Sequence, residues 1–333
     1  MTKISSVIND NNFVSIQSLG IRHLFLKLES MNPSGSIKLK TAVGMVGALE
    51  EAGLIKPDTQ LIESSSGSLG VALSMIAAER GYTFTCVVDP HISEHNLKLM
   101  RAFGAGIVRV TERDENGGYL GTRIRYIQNQ VRANPKIIWL NQYANPENPG
   151  AHYRSTAPAI AKAFPHCDYV FIGAGTTGTM MGCLDYFGKH RPEVKVVGVD
   201  SIGSVTFGYP PGKRYIPGLG TSRRPEICKP TGLHDHVMVP ELNAVHMCRR
   251  LAHTEGLLLG GSTGTVLAGI EMCKDRIAPD AVVVAISPDL GDRYLDTIYN
   301  DDWVKEKFGM EHLAAVRAAS VPMGPCQKTC TNP

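Results

Sequence analysis

The stretch MNPSGSIKLK, Met31 to Lys40, decides how the rest of the chain is read. A Pro-Ser-Gly-Ser turn runs into Leu39, Ala42, Val43, Val46 and Leu49 at helical intervals. This spacing predicts a helix with Ser36 as its N-cap and Gly53 at its end. Lys38 then falls in the first helical turn, where unpaired N–H groups and the helix dipole favour anions. A lysine there is out of place on helix physics alone, and a surface lysine is the bland explanation. Its neighbours along the chain decide between that and chemistry.

Outward from this turn, apolar runs alternate with helical patterns: LFLKLE (24–29), TQLIES (59–64), FTCVVD (84–89), GIVRV (106–110), KIIWL (136–140), DYVFIG (168–173), KVVGVD (195–200) and AVVVAI (281–286). Such alternation implies parallel sheets covered by helices on both faces, an α/β fold. The first five runs precede Asn141 and the last three follow Ala151. Two α/β units joined near NQYANPENPG, with a ligand between them, are expected.

Three loops share one design, small residues feeding a helix: ESSSGSLG (63–70), GAGTTGTMMG (173–182) and GGSTGT (260–265). Turns of this kind expose consecutive N–H groups at a helix start and bind phosphates or carboxylates, although Gly, Ser and Thr also serve tight turns for purely local reasons. The second loop, Gly173-Ala-Gly175-Thr-Thr-Gly178, also fits the dinucleotide fingerprint, and Asp200 ends the next strand. A hydride-transferring enzyme is therefore a rival reading, but it leaves Lys38 and the other two loops without a role.

With 333 residues, 43% hydrophobic, the chain has the makings of a normal core. Its formal charge of +3 is dispersed, so nucleic acid is not an expected partner. No signal-like start and no membrane-length apolar window are visible, which implies a soluble, cytoplasmic protein. The eight cysteines are scattered, and Cys86, Cys183 and Cys248 lie in apolar surroundings that suit buried thiols. Cys326 and Cys330 lack further ligands nearby, so no metal is expected.

MNPSGSIK, ESSSGSLG, NQYANPENPGAH, GAGTTGT, IPGLG, EGLLLGGSTG and SPDLGDRYLD, taken in order, resemble the motif set of the cysteine synthase family, across roughly residues 24 to 300. These are fold type II enzymes dependent on pyridoxal 5'-phosphate (PLP). CVVDPHIS, GGYLGTRI, DSIGSVTFG and PGLGTSRRPEI are most similar to a narrower group within it, the N-(2-amino-2-carboxyethyl)-L-glutamate synthases. That group joins O-phosphoserine to glutamate on the way to L-2,3-diaminopropionate, a siderophore and antibiotic building block. A cysteine synthase using O-acetylserine and sulfide is the alternative within the family. A silent binding protein that keeps the fold is the reading from outside it.

The resemblance implies two doubly wound α/β domains around the active site. Residues 29–145 would form a smaller mobile domain, 1–28 and 146–320 a larger PLP-binding domain, and 321–333 a disordered tail. Homodimers and small amino-acid substrates are implied as well. Lys38 matches the lysine that forms the Schiff base, and positive potential nearby would lower its pKa. Gly175, Thr176, Thr177, Gly178 and Thr179 match the cofactor phosphate site, and Ser262 the partner of the pyridine nitrogen. Ser65, Ser66 and Gln142 match positions that hold the donor's α-carboxylate. Arg123 and Tyr143 would receive the donor's leaving group, and Ser222 with Arg223 would add substrate contacts. Ser68 stands where the family usually has an asparagine beside the PLP phenolic oxygen, and the usual Thr-Pro-Leu before the first strand is missing.

Overall fold

The computed structural model describes residues 3–115 and 117–310; the expected tail and Cys326 with Cys330 lie outside them. Among the described residues, ten strands form two sheets. They are β1 (Phe13–Ser15), β2 (His23–Leu28), β3 (Gln60–Ser64), β4 (Thr83–Val88), β5 (Gly106–Arg109), β6 (Ile137–Trp139), β7 (Cys167–Gly173), β8 (Lys195–Ser201), β9 (Asp235–Val239) and β10 (Val282–Ser287). One sheet runs β1-β2-β10-β7-β8-β9 and the other β5-β4-β3-β6. Every pairing of these strands is parallel except β1 with β2.

Among the described residues, ten α-helices connect and cover the strands: α1 (Lys38–Glu51), α2 (Ser68–Arg80), α3 (Glu94–Ala102), α4 (Leu120–Ala133), α5 (Glu147–Arg154), α6 (Thr156–Ala163), α7 (Gly178–His190), α8 (Glu241–Glu255), α9 (Gly261–Met272) and α10 (Asp301–Phe308). Strand residues alternate between two cores, as the twofold period of a strand requires. In the larger sheet Tyr169, Phe171, Val197 and Val199 face a cluster with Met247, Leu251, Val266 and Ile270 of α8 and α9. Val170, Ile172 and Val196 face the opposite cluster with Ile160, Met180, Cys183 and Phe187 of α6 and α7. In the smaller sheet Leu61 joins residues of α1, α2 and α3, whereas Ile62 joins Ile127 of α4. Both sheets are thus doubly wound. Each fully buried aliphatic or aromatic side chain contributes roughly 1.5–3 kcal/mol to these cores.

The sequence reading and the structure differ at several points, the short antiparallel strand β1 among them. By its place in the chain LFLKLE groups with the four strands of the smaller sheet, whereas the resemblance groups residues 1–28 with the larger unit; as β2 it pairs with β10 in the larger sheet, Leu24 against Val283 and Leu26 against Ala285. Both leucines are buried there, so the larger core claims this strand. The run DHVMV escapes notice in the sequence because its two polar leading residues mask an edge strand, β9. Ser36 does not cap α1. The N-cap position is Ile37 in helical conformation, and Ser36 Oγ is buried without a partner. The chain there is instead laced to the end of β10: Ser36 bridges Asp289, and Ile37 N–H donates to the Pro288 carbonyl at 2.8 Å.

That lacing fixes Lys38. Ile37 packs into the core of the larger sheet and Leu39 into that of the smaller one, so Lys38 stands at the seam between them.

Candidate active site

Two of the three loops singled out in the sequence, and the segments with Lys38 and Gln142, leave the carboxyl ends of strands, where open parallel sheets hold ligands; the third, GGSTGT, follows α8. Lys38 follows β2, the serine loop follows β3, Gln142 and Tyr143 follow β6, and Gly175–Thr179 follow β7. Among the described residues only Asn141 (φ 52°) and Thr177 (φ 68°) are non-glycines in the left-handed region. Both lie in these loops, where backbone strain tends to mark function.

Burial pulls the Lys38 ammonium down to about 8, against the opposing pull of Asp289. The cause differs from the expected positive neighbour: loss of water lowers it, and the nearest charge acts the other way. Burial likewise pushes the Asp289 carboxyl up to about 6. Its Oδ2 accepts from Tyr294 OH at 2.6 Å and its Oδ1 is buried without a partner. Lys40, the nearest competitor, is locked away. It is paired with Asp10 and Glu29, donating to Glu29 Oε1 at 2.8 Å and to Thr156 Oγ1 at 3.1 Å. A lysine whose donors are taken by two carboxylates and a hydroxyl is not free to act as a nucleophile.

The loop before α7 is shaped for an anion. Thr177 caps the helix with no side-chain bond, and its Oγ1 is buried without a partner. Gly175 backs onto the Gly218 carbonyl, where an added Cβ would lie 2.8 Å from the oxygen. A Cβ on Gly178 would lie 2.0 Å from Asn148 Oδ1. Asn148 Nδ2 donates to Thr176 Oγ1 at 3.0 Å, and Thr179 Oγ1 meets His152 Nε2 at 3.2 Å. Burial, with Lys40 and Lys38 nearby, holds the His152 pKa well below its ordinary value. Open N–H donors, an unpartnered hydroxyl and glycines that admit close neighbours fit the phosphate of PLP.

Ser262 opens α9 and is buried, with Gly218 against it and no hydrogen-bond partner for its hydroxyl among the described residues. Thr263 beside it is tied to Ser287 Oγ at 2.9 Å. A free, buried hydroxyl suits a ring-nitrogen partner, and Ser262 rather than Thr263 offers one.

The serine loop is differently equipped. Ser65 Oγ accepts from Gly67 N–H at 3.3 Å and Gly70 N–H at 3.1 Å. Ser66 Oγ donates to Asp89 Oδ2 at 2.9 Å while accepting from Asp89 N–H and from Arg123 Nη1 at 3.2 Å. Ser68 accepts from Arg293 Nη1 at 3.4 Å, and Arg293 Nη2 also binds the Ser34 carbonyl. Gln142 Nε2 donates to the Ser64 carbonyl at 2.9 Å, and the Gln142 carbonyl accepts from Asn148 Nδ2 at 2.7 Å.

Arg123 is no surface residue. Its side chain is 11% exposed, Asp89 lies 3.5 Å from Nη1, and Nε is buried with no partner. Tyr143 lies within its field. Burial raises the phenol, Arg123 and Arg223 pull it back, and Glu63 and Asp89 push the same way as burial. Ser222 Oγ approaches Gly118 just ahead of α4, but the Arg223 side chain is exposed and paired with Glu226. The structure therefore gathers Arg123, Tyr143 and Ser66 and leaves Arg223 at the rim. Reading by motif misses Glu63, Asp89, Asn148, His152 and Asp289. Each lies inside a quoted stretch, and none announces in sequence that its side chain turns inward.

The family described as pyridoxal-phosphate dependent enzyme matches residues 7–289. The chain is 41% identical over 298 residues to the N-(2-amino-2-carboxyethyl)-L-glutamate synthase of Ralstonia nicotianae, covering 89% of this chain and 88% of that one. It is also 41% identical over 310 residues to the synthase of the same name from Cupriavidus metallidurans, covering 90% and 91%. Among solved structures it resembles O-ureido-L-serine synthase, at TM-score 0.83 and 30% identity over 92% of this chain and 96% of the other. It also resembles the O-acetylserine dependent cystathionine beta-synthase from Helicobacter pylori, at TM-score 0.83 and 25% identity over 90% and 99%. With this fold and these relatives, the chain belongs to the pyridoxal-phosphate dependent enzymes of fold type II, the cysteine synthase-like transferases that catalyse β-replacement.

Proposed function

We propose that the enzyme joins O-phospho-L-serine and L-glutamate into N-(2-amino-2-carboxyethyl)-L-glutamate, releasing phosphate, as a step towards L-2,3-diaminopropionate. The observation that carries the reading is Arg123, packed on Ser66 with its Nε buried and unpartnered. A buried guanidinium with unused donors is costly unless an anion completes it, and phosphate matches its fork. The relatives that bear the synthase name support the same reading.

When bound, PLP supplies the electron sink for loss and replacement of the β-substituent. The chain's own groups do the rest. Thr177, Thr179 and the first N–H groups of α7 would hold the phosphate, and Ser262 would meet the pyridine nitrogen without fully protonating it. Lys38 would anchor the cofactor and, once released, move the proton at the donor's Cα; a pKa near 8 suits a base at neutral pH. Ser65, Ser66 and Gln142 would orient the donor's carboxylate, and Arg123 would take the leaving phosphate. Movement of the unit containing residues 29–145 over the donor would exclude water.

A second reading, O-acetylserine with sulfide, is favoured by Asp89, which already answers much of the charge on Arg123. Mass spectrometry of products from phosphoserine or acetylserine, each with glutamate or sulfide, separates the two. Arg123→Ala should reduce use of phosphoserine about tenfold or more, on the order expected for a charged hydrogen bond, while sparing acetylserine. Equal losses with both donors would move Arg123 to the α-carboxylate and leave the second reading ahead.

A further inference from the structure

Glu63 is fully buried near the end of β3, and the chemistry above makes no use of it. Its two oxygens have separate tasks. Oε1 accepts the Ser64 N–H at 2.8 Å and Oε2 accepts the Gln142 N–H at 3.2 Å. The Gln142 side chain closes the circuit by donating to the Ser64 carbonyl at 2.9 Å. The carboxylate thereby ties the end of β3 to the turn after β6, across a backbone that Asn141 holds at positive φ. Both tied segments lead directly into residues assigned to the donor, Ser65 on one side and Gln142 on the other.

This arrangement is kept against the stability of the fold. Burial pushes the Glu63 carboxyl up to about 7, although the two backbone N–H bonds, the Trp139 indole N–H and the Arg123 charge pull it down; Cys86 and Tyr143 are the other titratable groups in its field. An acid whose pKa is raised on folding costs stability as pH climbs from its ordinary value to the raised one. At pH 8 the ionised Glu63 is therefore carried at a net cost. Glutamine has the same shape and would remove that cost, but it offers only one acceptor, and its NH2 would face an N–H.

We propose that Glu63 is a positioning residue for the donor amino acid, setting the spacing between Ser65 and Gln142 that the donor's carboxylate requires. The inference rests on the assignment of Gln142 to the donor. It is tested on PLP-loaded Glu63→Gln at pH 8, with L-serine as the probe and the absorption of bound cofactor as the signal. L-Serine should bind on the order of tenfold more weakly or worse. Cofactor should be retained, the unfolding temperature should be unchanged or raised, and KM for the donor should suffer more than kcat.

Native binding of L-serine would overturn the proposal. So would a loss of affinity that merely tracks lost cofactor and a lowered unfolding temperature. Gln142→Ala, measured beside it, separates the two assignments: if that variant binds L-serine normally, the Gln142 reading is what fails. If Gln142→Ala binds weakly but Glu63→Gln binds normally, only the role of Glu63 falls. Should Glu63→Gln not fold, Glu63→Asp retains the charge but cannot span both N–H groups, and its native binding of L-serine would overturn the proposal equally.

Discussion

The loop before α7 and the loop before α2 read alike in sequence, yet the fold treats them in opposite ways. Around Gly175–Thr179 the protein leaves donors open: a cap without a side-chain bond, a buried Thr177 hydroxyl with no partner, and glycines that let the Gly218 carbonyl and Asn148 pack close behind the loop. At Ser65, Ser66 and Ser68 each hydroxyl oxygen is already engaged, with backbone N–H groups, Asp89, Arg123 or Arg293, whereas Ser64 Oγ, at the end of β3, is buried without a partner. A resident cofactor suits the first design, because an anion that stays can be relied on to satisfy the loop. A passing substrate suits the second, because between turnovers the loop must satisfy itself. The first loop is expected to be intolerant of change and the second forgiving.

Lys38 stands at the seam between the two cores and should show the largest effect. Lys38→Ala should lower turnover by about 10³-fold or more, the scale of losing a nucleophilic anchor and a proton carrier together. Borohydride treatment should fix the cofactor to Lys38 and leave Lys40 unlabelled, given its pairing with Asp10 and Glu29. The pH dependence has a definite sign. Folding lowers the Lys38 pKa to about 8, so the reactive free amine grows as pH rises towards 8 and then levels. The rate at which cofactor-free protein takes up PLP should rise about tenfold per pH unit below that point. Labelling of Lys40, or uptake that is flat from pH 6 to 8, would break the assignment.

The open-donor side of the comparison is sharpened by Gly178→Ala. Its added Cβ would lie 2.0 Å from Asn148 Oδ1, and Asn148 also holds Thr176 and the Gln142 carbonyl. Overpacking of this kind costs roughly 1–3 kcal/mol, so cofactor affinity should fall on the order of tenfold to a hundredfold. The measurement is PLP binding by absorbance, with the unfolding temperature as a check that the rest of the fold survives. Native affinity would show that the cradle is softer than its geometry implies.

Much of this is legible in the sequence, but unevenly. The parallel α/β architecture follows from eight apolar runs, because strands covered on both faces carry a strong and local signal. The sheet to which β2 belongs does not follow from its place in the chain, because partner choice is settled by a distant core. The loops at the site stand out because glycine, serine and threonine mark tight turns wherever they end up. Glu63 and Asp89 do not, since an acidic residue beside a strand is usually solvated, and only the fold reveals that both turn inward. For Lys38 the expected positive neighbour is not what lowers the pKa: burial is, and burial is not written in the ten residues around it.

The smallest effect should come from the self-satisfied side, with Ser66→Ala. Ser66 Oγ donates its only proton to Asp89 and accepts from Arg123 and from the Asp89 N–H, so it can serve a donor only by giving up a bond it already has. Exchange of one hydrogen bond for another nets about 0.5–1.5 kcal/mol, which corresponds to a KM for the donor roughly two- to tenfold higher. Removing the hydroxyl also leaves Asp89, 3.5 Å from Nη1, with Arg123 as its remaining side-chain partner, so kcat should hold while KM moves. Steady-state kinetics with phosphoserine measure both. A hundredfold loss, or a fall in kcat with KM unmoved, would mean that the serine loop depends on its ligand no less than the phosphate loop does, and the contrast between the two would collapse.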